Sequence, residues 1–288
     1  MGEDRTRGPS TFVKSRADAP AGFFAAEAAG LRWLAEPGVI PVVEVLEAFD
    51  AHGLRAESAD GDELDPAATA LHLARLEPAP PTAESARTLG ERLARLHDAG
   101  APGFGWSPAP TAWFGPLDDP FEVPITPRGT FAEFWAEDRL RPLLAASSAT
   151  LGADGTARVG SAIDVVADGL FDGICGQGRE EPSRVHGDLW SGNVMWTAGG
   201  AVLIDPAAHG GHRLEDLAML SLFGAPHLEQ IYAGYHQAHP LPEGWRDDLS
   251  AHVLFGLLAH VHLFGSGYVA QAVAVADAVV ARAEQLRG

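Results

Sequence analysis

Two carboxylates and an amide, Asp188, Asn193 and Asp205, stand in the stretch Val185 to Asp205, VHGDLWSGNVMWTAGGAVLID. Asp188 and Asn193 lie five positions apart in what reads as a loop. Val194 to Thr197 then alternates, Ala198-Gly199-Gly200 turns the chain, and the apolar strand Ala201 to Ile204 ends on Asp205. This order suits phosphoryl transfer. One carboxylate accepts or orients a hydroxyl proton, while an amide oxygen and a second carboxylate hold Mg²⁺ against nucleotide phosphates. Asp, Asn and Gly are ordinary turn formers, so an isolated Asp-to-Asn pair means no more than a loop. His186, Gly187, Asp188, Asn193, a Gly-Gly hairpin and a strand closing on Asp205, all in the order found in protein kinases, form a much rarer conjunction.

Such a site needs a cation for the phosphates, and Lys14 is the one lysine in a chain whose other basic residues are all Arg. It ends TFVK, Thr11 to Lys14, which reads as a short strand with Phe12 and Lys14 on one face. Glu27 follows thirteen residues later inside FFAAEAAGLRWL, Phe23 to Leu34, where Phe24, Leu31 and Leu34 recur at helical spacing. A solvated lysine and a solvated helix glutamate would be the bland reading of both. With the downstream motif, Glu27 is expected to orient Lys14 by an ion pair.

The elements that must position these groups divide at EPAPP, Glu77 to Pro81, which reads as a linker. Residues 1–77 form a small nucleotide-binding lobe and 78–288 a larger lobe with the catalytic loop and the acceptor site. The fold class expected is α+β: a two-lobed protein-kinase-like fold with a small, mainly antiparallel N-lobe and a mainly helical C-lobe. Val39 to Leu46 and Thr69 to Leu76 read as strands and His52 to Asp65 as a loop or hairpin, and main chain near Ala74 and Leu76 is expected to meet adenine. Thr82 caps a helix on Leu89, Leu93 and Leu96 that stops at Gly100. Phe131 to Leu144 reads as a helix with Trp135 in the core, Gly152 to Gly160 as a loop, and Ile163 to Leu170 as a helix. Three helices close the chain, with His252, His260 and His262 expected on partly polar faces. Asp216 begins a further helix and is expected to brace the catalytic loop. His209 and His212 are three apart, but no third ligand is indicated and zinc is not expected.

HGDLWSGN together with DPAAHGGHRLEDLAMLSLFG resembles the fructosamine kinase (ketosamine 3-kinase) family, relatives of the aminoglycoside phosphotransferases; Trp190, Ser191 and Gly192 make the resemblance specific. It extends over FVK, the Glu27 helix, a W-x-x-F-x-x-x-R-L helix and a closing segment at Leu257 to Tyr268. The resemblance implies an ATP- and Mg²⁺-dependent kinase. Its acceptor would be a small-molecule or protein-bound ketosamine, phosphorylated at O3 so that it becomes unstable and frees its amine, a deglycation repair. His186, Trp190, Asp118 and Asp119 are the acceptor-side residues so implied; Trp190 offers a flat apolar face, and the two aspartates stand where the family usually has an amide-rich pair. Family members also precede the Lys14 strand with a Gly-rich strand and turn that this chain is not expected to have. Another small-molecule kinase of this fold, acting on an aminoglycoside, choline or a sugar alcohol, and a pseudokinase without turnover are the alternatives.

A formal charge of −19 argues against general nucleic-acid or anionic-membrane binding, because phosphate backbones demand Lys and Arg. The N-terminus MGEDRTRGPS has no apolar region and no long apolar run appears elsewhere, so a cytoplasmic chain with neither signal peptide nor membrane span is expected. The single cysteine, Cys175, excludes an intramolecular disulfide. Nothing in the sequence bears on oligomeric state.

Overall fold

A computed structural model describes residues 11–56, 65 and 67–288. The expected absence of a Gly-rich turn falls on residues 1–10, outside the described residues, as does most of the loop expected over 52–65. Strand β1 (Thr11–Ser15), helix α1 (Phe23–Ala35), strand β2 (Val45–Asp50) and strand β3 (Ala68–Ala74) build the N-lobe. The antiparallel sheet runs β1-β3-β2, and its register sets Lys14 opposite Leu71. Phe24, Ala28 and Leu31 of α1 are buried with Ala48, Leu71 and Leu73, so one apolar stripe ties helix to sheet and fixes Glu27 facing β1.

The strand expected over Val39 to Leu46 starts later, at Val45. Its apolar residues are used elsewhere: Val43 N–H donates to Leu203 C=O at 3.0 Å and Leu203 N–H donates to Pro41 C=O at 3.0 Å, joining this segment to the hairpin of the other lobe. The linker makes a second seam, where Ala79 N–H donates to Trp196 C=O at 2.8 Å.

In the C-lobe, α2 (Ala83–Asp98) starts at a capping box in which Thr82 and Ser85 satisfy each other's backbone N–H. The small hairpin β4 (Trp113–Phe114) and β5 (Phe121–Glu122) lies within the aromatic loop. A short turn, α3 (Phe131–Glu133), runs into a π-helical stretch Phe134–Leu140 and then α4 (Arg141–Ala167). Helix therefore replaces the loop expected over Gly152 to Gly160. Gly152 makes only a kink (φ +70°), because Leu151, Gly155, Val159, Ala162 and Val166 form a buried stripe that packing rewards over local propensity. Strand β6 (Ser183–Val185) pairs with β9 (His209–Gly211), and β7 (Val194–Thr197) with β8 (Gly200–Leu203). Helices α5 (Leu214–Leu222), α6 (Leu228–Ala238), α7 (Leu249–Phe264) and α8 (Val269–Arg287) complete the lobe. The segment 245–287 is long and apolar enough by composition to cross a membrane, but it consists of short helical turns, α7 and α8, and α7 is buried in the core.

That burial corrects the expectation for His252. It is 1% exposed and stacks on Phe131 at 4.9 Å and against His212 at 4.5 Å, with neither ring nitrogen hydrogen-bonded among the described residues. Burial depresses its pKa to about 3, so the ring is neutral. Trp135 is core, its indole N–H donating to Ala251 C=O at 2.9 Å.

Candidate active site

The β7–β8 hairpin brings the two ends of the motif together, since Ile204 N–H donates to Asn193 C=O at 3.1 Å. Trp190 to Asn193 is a tight turn, closed by Asn193 N–H donating to Trp190 C=O at 3.0 Å. The Asn193 amide N–H₂ then faces Asp188 Oδ2 at 3.0 Å, Asp188 C=O at 2.7 Å and Asp205 C=O at 3.3 Å. This orientation leaves the amide oxygen Oδ1 for other partners. Asp205 adopts a left-handed conformation (φ +52°), tolerable for Asp, at the end of β8. Its Oδ1 lies 3.2 Å from Lys14 Nζ, and Glu27 Oε2 lies 2.8 Å from the same nitrogen.

Lys14 thus sits between two carboxylates of different lobes. Burial works against its charge, but Glu27 and Asp205 outweigh burial and hold its pKa above the ordinary lysine value. For Glu27 burial dominates and pushes the pKa up against the pull of Lys14. A lysine between two carboxylates within 3.2 Å stays an ammonium, so the ion pair is the form adopted. Glu27 Oε1 is buried with no hydrogen-bond partner among the described residues. Burial first, then the Asp205 and Asp216 charges, push the Asp188 carboxyl up to about 8, against the Asn193 hydrogen bond.

Behind the loop, Asp216 in the first turn of α5 accepts His186 N–H at 2.8 Å on one oxygen and Gly187 N–H at 3.0 Å on the other. His97 Nε2 lies 3.1 Å from Asp216, and its Nδ1 lies 2.8 Å from the Tyr235 hydroxyl. Burial keeps His97 neutral despite Asp216, so Nε2–H donates to Asp216 and Nδ1 accepts from Tyr235. Burial opposes the charge on Asp216 too, yet the hydrogen bonds it accepts from His97 and from the His186 backbone N–H outweigh it and hold this carboxyl below its ordinary range. Gly187 (φ +82°) has no alternative residue: a Cβ there would meet Ala207 C=O at 2.2 Å. His97 stands in the last turn of α2, and its role in this network is visible only once α2, α5 and α6 are packed together.

Lys14, Glu27, Asp188, Trp190, Asn193 and Asp205 all line one cavity of about 600 Å³. His186 does not: it is fully buried behind the loop, with Nε2 at 2.9 Å from Ile204 C=O. Asp118 and Asp119 are exposed outside the cavity wall, although their neighbours Gly115 to Leu117 line it. Ala74 and Leu76 do not line it either, and Ala74 N–H is already donated to Glu44 C=O at 2.9 Å. No group of three or more His, Cys, Asp or Glu side chains with metal-holding geometry occurs among the described residues. The donors at hand, the Asp205 carboxylate and the Asn193 amide oxygen, are hard oxygens of the kind that bind Mg²⁺ with phosphate oxygens completing its shell, so the site fits Mg-ATP.

The fructosamine kinase family model matches residues 4–282. A probable ketoamine kinase of Thermus thermophilus is 33% identical over 258 residues, 89% of this chain and 82% of that protein. Another from Synechocystis is 35% identical over 187 residues; that match covers 64% of this chain and 58% of the relative's length. The crystal structure of a Thermobifida fusca protein assigned as a fructosamine-3-kinase superposes with a TM-score of 0.78 at 38% identity, over 96% of this chain and 87% of that one. At 21% identity and a TM-score of 0.54, the aminoglycoside phosphotransferase APH(4)-Ia shares the fold. The chain belongs to the fructosamine kinase family, a family of phosphotransferases, and has the two-lobed protein-kinase-like fold.

Proposed function

We propose that this chain transfers the γ-phosphoryl group of ATP to a sugar hydroxyl of a ketosamine. The observation that carries this reading is the Lys14 ammonium, held 2.8 Å from Glu27 and 3.2 Å from Asp205, on the same cavity as the Asp188–Asn193 pair. Mg-ATP, when bound, supplies the transferable group and the divalent charge that neutralises its oxygens. Asp205 and Asn193 Oδ1 would hold the ion, and Lys14 would steady the phosphates. Glu27 fixes Lys14. Asp188, in its ionised form, receives the acceptor's hydroxyl proton, and the raised pKa of about 8 makes that carboxylate a stronger base than an ordinary aspartate. His186, placed behind the loop, acts on the acceptor only by shaping that loop, through its hydrogen bond to Ile204 C=O and its contact with Asp188 N–H at 3.3 Å.

The relatives' names, ketoamine kinase and fructosamine-3-kinase, point to ketoamine and fructosamine acceptors and, for the Thermobifida fusca protein, to the third hydroxyl. Phosphorylation there labilises the adduct and frees its amine, which makes deglycation in the cytoplasm the expected physiological role. The cavity supports this acceptor over a polycationic aminoglycoside. Its described lining holds three carboxylates, Glu27, Asp188 and Asp205, all at the phosphate end. The test is ATP- and Mg²⁺-dependent phosphorylation of a fructosamine and ribulosamine panel beside an aminoglycoside panel, with the product position read by phosphorus NMR. Turnover confined to aminoglycosides, or no turnover on any acceptor, overturns the reading.

A further inference from the structure

Six large apolar side chains are exposed among the described residues, and three of them, Trp190 (39%), Phe223 (43%) and Phe264 (55%), lie at this cavity. They are linked. Trp190 meets Phe223 edge-on at 6.2 Å, Phe223 meets His260 at 5.1 Å, and His260 meets Tyr268 at 4.9 Å and Phe264 at 5.3 Å. The ladder starts two residues from Asp188 and runs across the end of α5 and along α7 to Tyr268.

None of its members carries charge. His260 Nδ1–H donates to Gly256 C=O at 2.6 Å, and burial holds its pKa below the ordinary value, so a neutral ring continues the aromatic surface. Trp190 is fixed against its own turn: a Cβ on Gly192 would fall 2.1 Å from the indole. A partly exposed aromatic surface continuous with a catalytic cavity is a binding surface, and its occupant follows from where it begins.

We propose, resting on the phosphotransfer reading above, that this ladder binds the amine side of the acceptor and selects ketosamines whose amine bears a flat apolar substituent. The substituent leaves the sugar next to the ammonium nitrogen, and that nitrogen is attracted to the indole face of Trp190. Beyond it only apolar and neutral aromatic surface is offered. A benzyl-type group gains ring contacts there. The one Lys or Arg among the described lining residues, Lys14, stands at the phosphate end with Glu27 and Asp205, so a carboxylate on the substituent finds no cation along the ladder, and additional ammonium groups find no carboxylate among its rings.

The test compares N-benzyl, N-methyl and N-carboxymethyl fructosamines on the wild-type protein and on Phe223→Ala, Phe264→Ala and Phe264→Tyr. On the wild type, kcat/KM for the benzyl compound should exceed that for either other compound by about tenfold or more, chiefly through KM, as uniform binding requires. Either alanine variant should bring the benzyl-to-methyl ratio close to one, and Phe264→Tyr should keep it. Calorimetric binding of the same three compounds provides a readout without turnover and should show the same ordering. Equal treatment of benzyl and methyl compounds in both kinetics and binding, or alanine variants that lower both equally, overturns the proposal. Discrimination in binding without phosphorylation of any ketosamine would leave the ladder standing and remove the phosphotransfer reading instead.

Discussion

Asp188→Asn separates the two consequences of burying this carboxyl. Its pKa of about 8 against an ordinary 3.8 means that the folded protein keeps a proton here which the unfolded chain has released. The unfolded state therefore binds fewer protons across this window, so stability falls as pH rises from 3.8 to 8, and the full penalty is present above it. At roughly 1.36 kcal/mol for each pH unit, the gap sets an upper bound of about 6 kcal/mol. Asp188 is partly accessible to water, and screening reduces the realised figure to about 1 to 3 kcal/mol. Asparagine keeps an oxygen for the Asn193 N–H₂ now at 3.0 Å, and carries no charge beside Asp205 and Asp216. The variant should therefore melt higher than wild type at pH 8.5, by roughly 2 to 4 °C for each kcal/mol, and close to it at pH 4. Turnover should fall by about 10² to 10⁴-fold with Mg-ATP binding retained. Thermal melts between pH 4 and 9, beside steady-state kinetics and ATP calorimetry, check this. A variant that melts at or below the wild type at pH 8.5, or one with near-wild-type turnover, refutes the reasoning.

Lys14→Arg preserves charge and an apolar stem, yet a planar guanidinium cannot take the ammonium's place between Glu27 and Asp205; ATP use should drop sharply with an unchanged melting temperature, and normal kinetics would return Lys14 to a structural role. Gly192→Ala should push the Trp190 indole off its turn, raising the acceptor KM while calorimetric Mg-ATP affinity stays as it was. His252→Leu removes a ring whose pKa is about 3 in the fold against 6.5. A neutral buried histidine contributes stability fully above pH 6.5 and loses it as pH falls toward 3, so the variant should flatten the stability–pH curve there by up to about 1.4 kcal/mol per pH unit, measured by denaturant titration.

What could be read from the sequence was local. Asp188, Asn193 and Asp205 meet because one hairpin of two four-residue strands returns the chain to the loop, and such hairpins are written in their turn residues. The strand bearing Lys14 and the helix bearing Glu27 were each visible from periodicity. What was hidden depended on packing between distant segments. Gly152 looked like a break because the stripe of buried residues flanking it is rewarded only when α8 packs alongside. His252 looked half-polar because α7 has no solvent face over Ala251 to Ala259, where amphipathic reasoning has nothing to detect. The ladder was legible only at Trp190; Phe223, His260, Phe264 and Tyr268 come from the far end of α5 and from α7 onward, and no sequence spacing connects them to Asp188.

This division has a mechanical consequence. The loop that carries Asp188 is held from behind by Asp216, whose two oxygens take the N–H groups of His186 and Gly187 and whose place in the first turn of α5 lets the helix N-terminus favour its charge. The surface proposed for the acceptor's amine is held at the opposite end of α5 and on α7, by packing among rings. Loop geometry and amine preference thus rest on different contacts, meeting only where Asp188 and Trp190 share one turn, closed by Trp190 N–H donating to Asp188 C=O at 3.0 Å. Substitutions along α7 can retune the acceptor without moving Asp188, Asn193 or Asp205. A change at Asp216 cannot spare them, because it removes both backbone anchors of the loop at once.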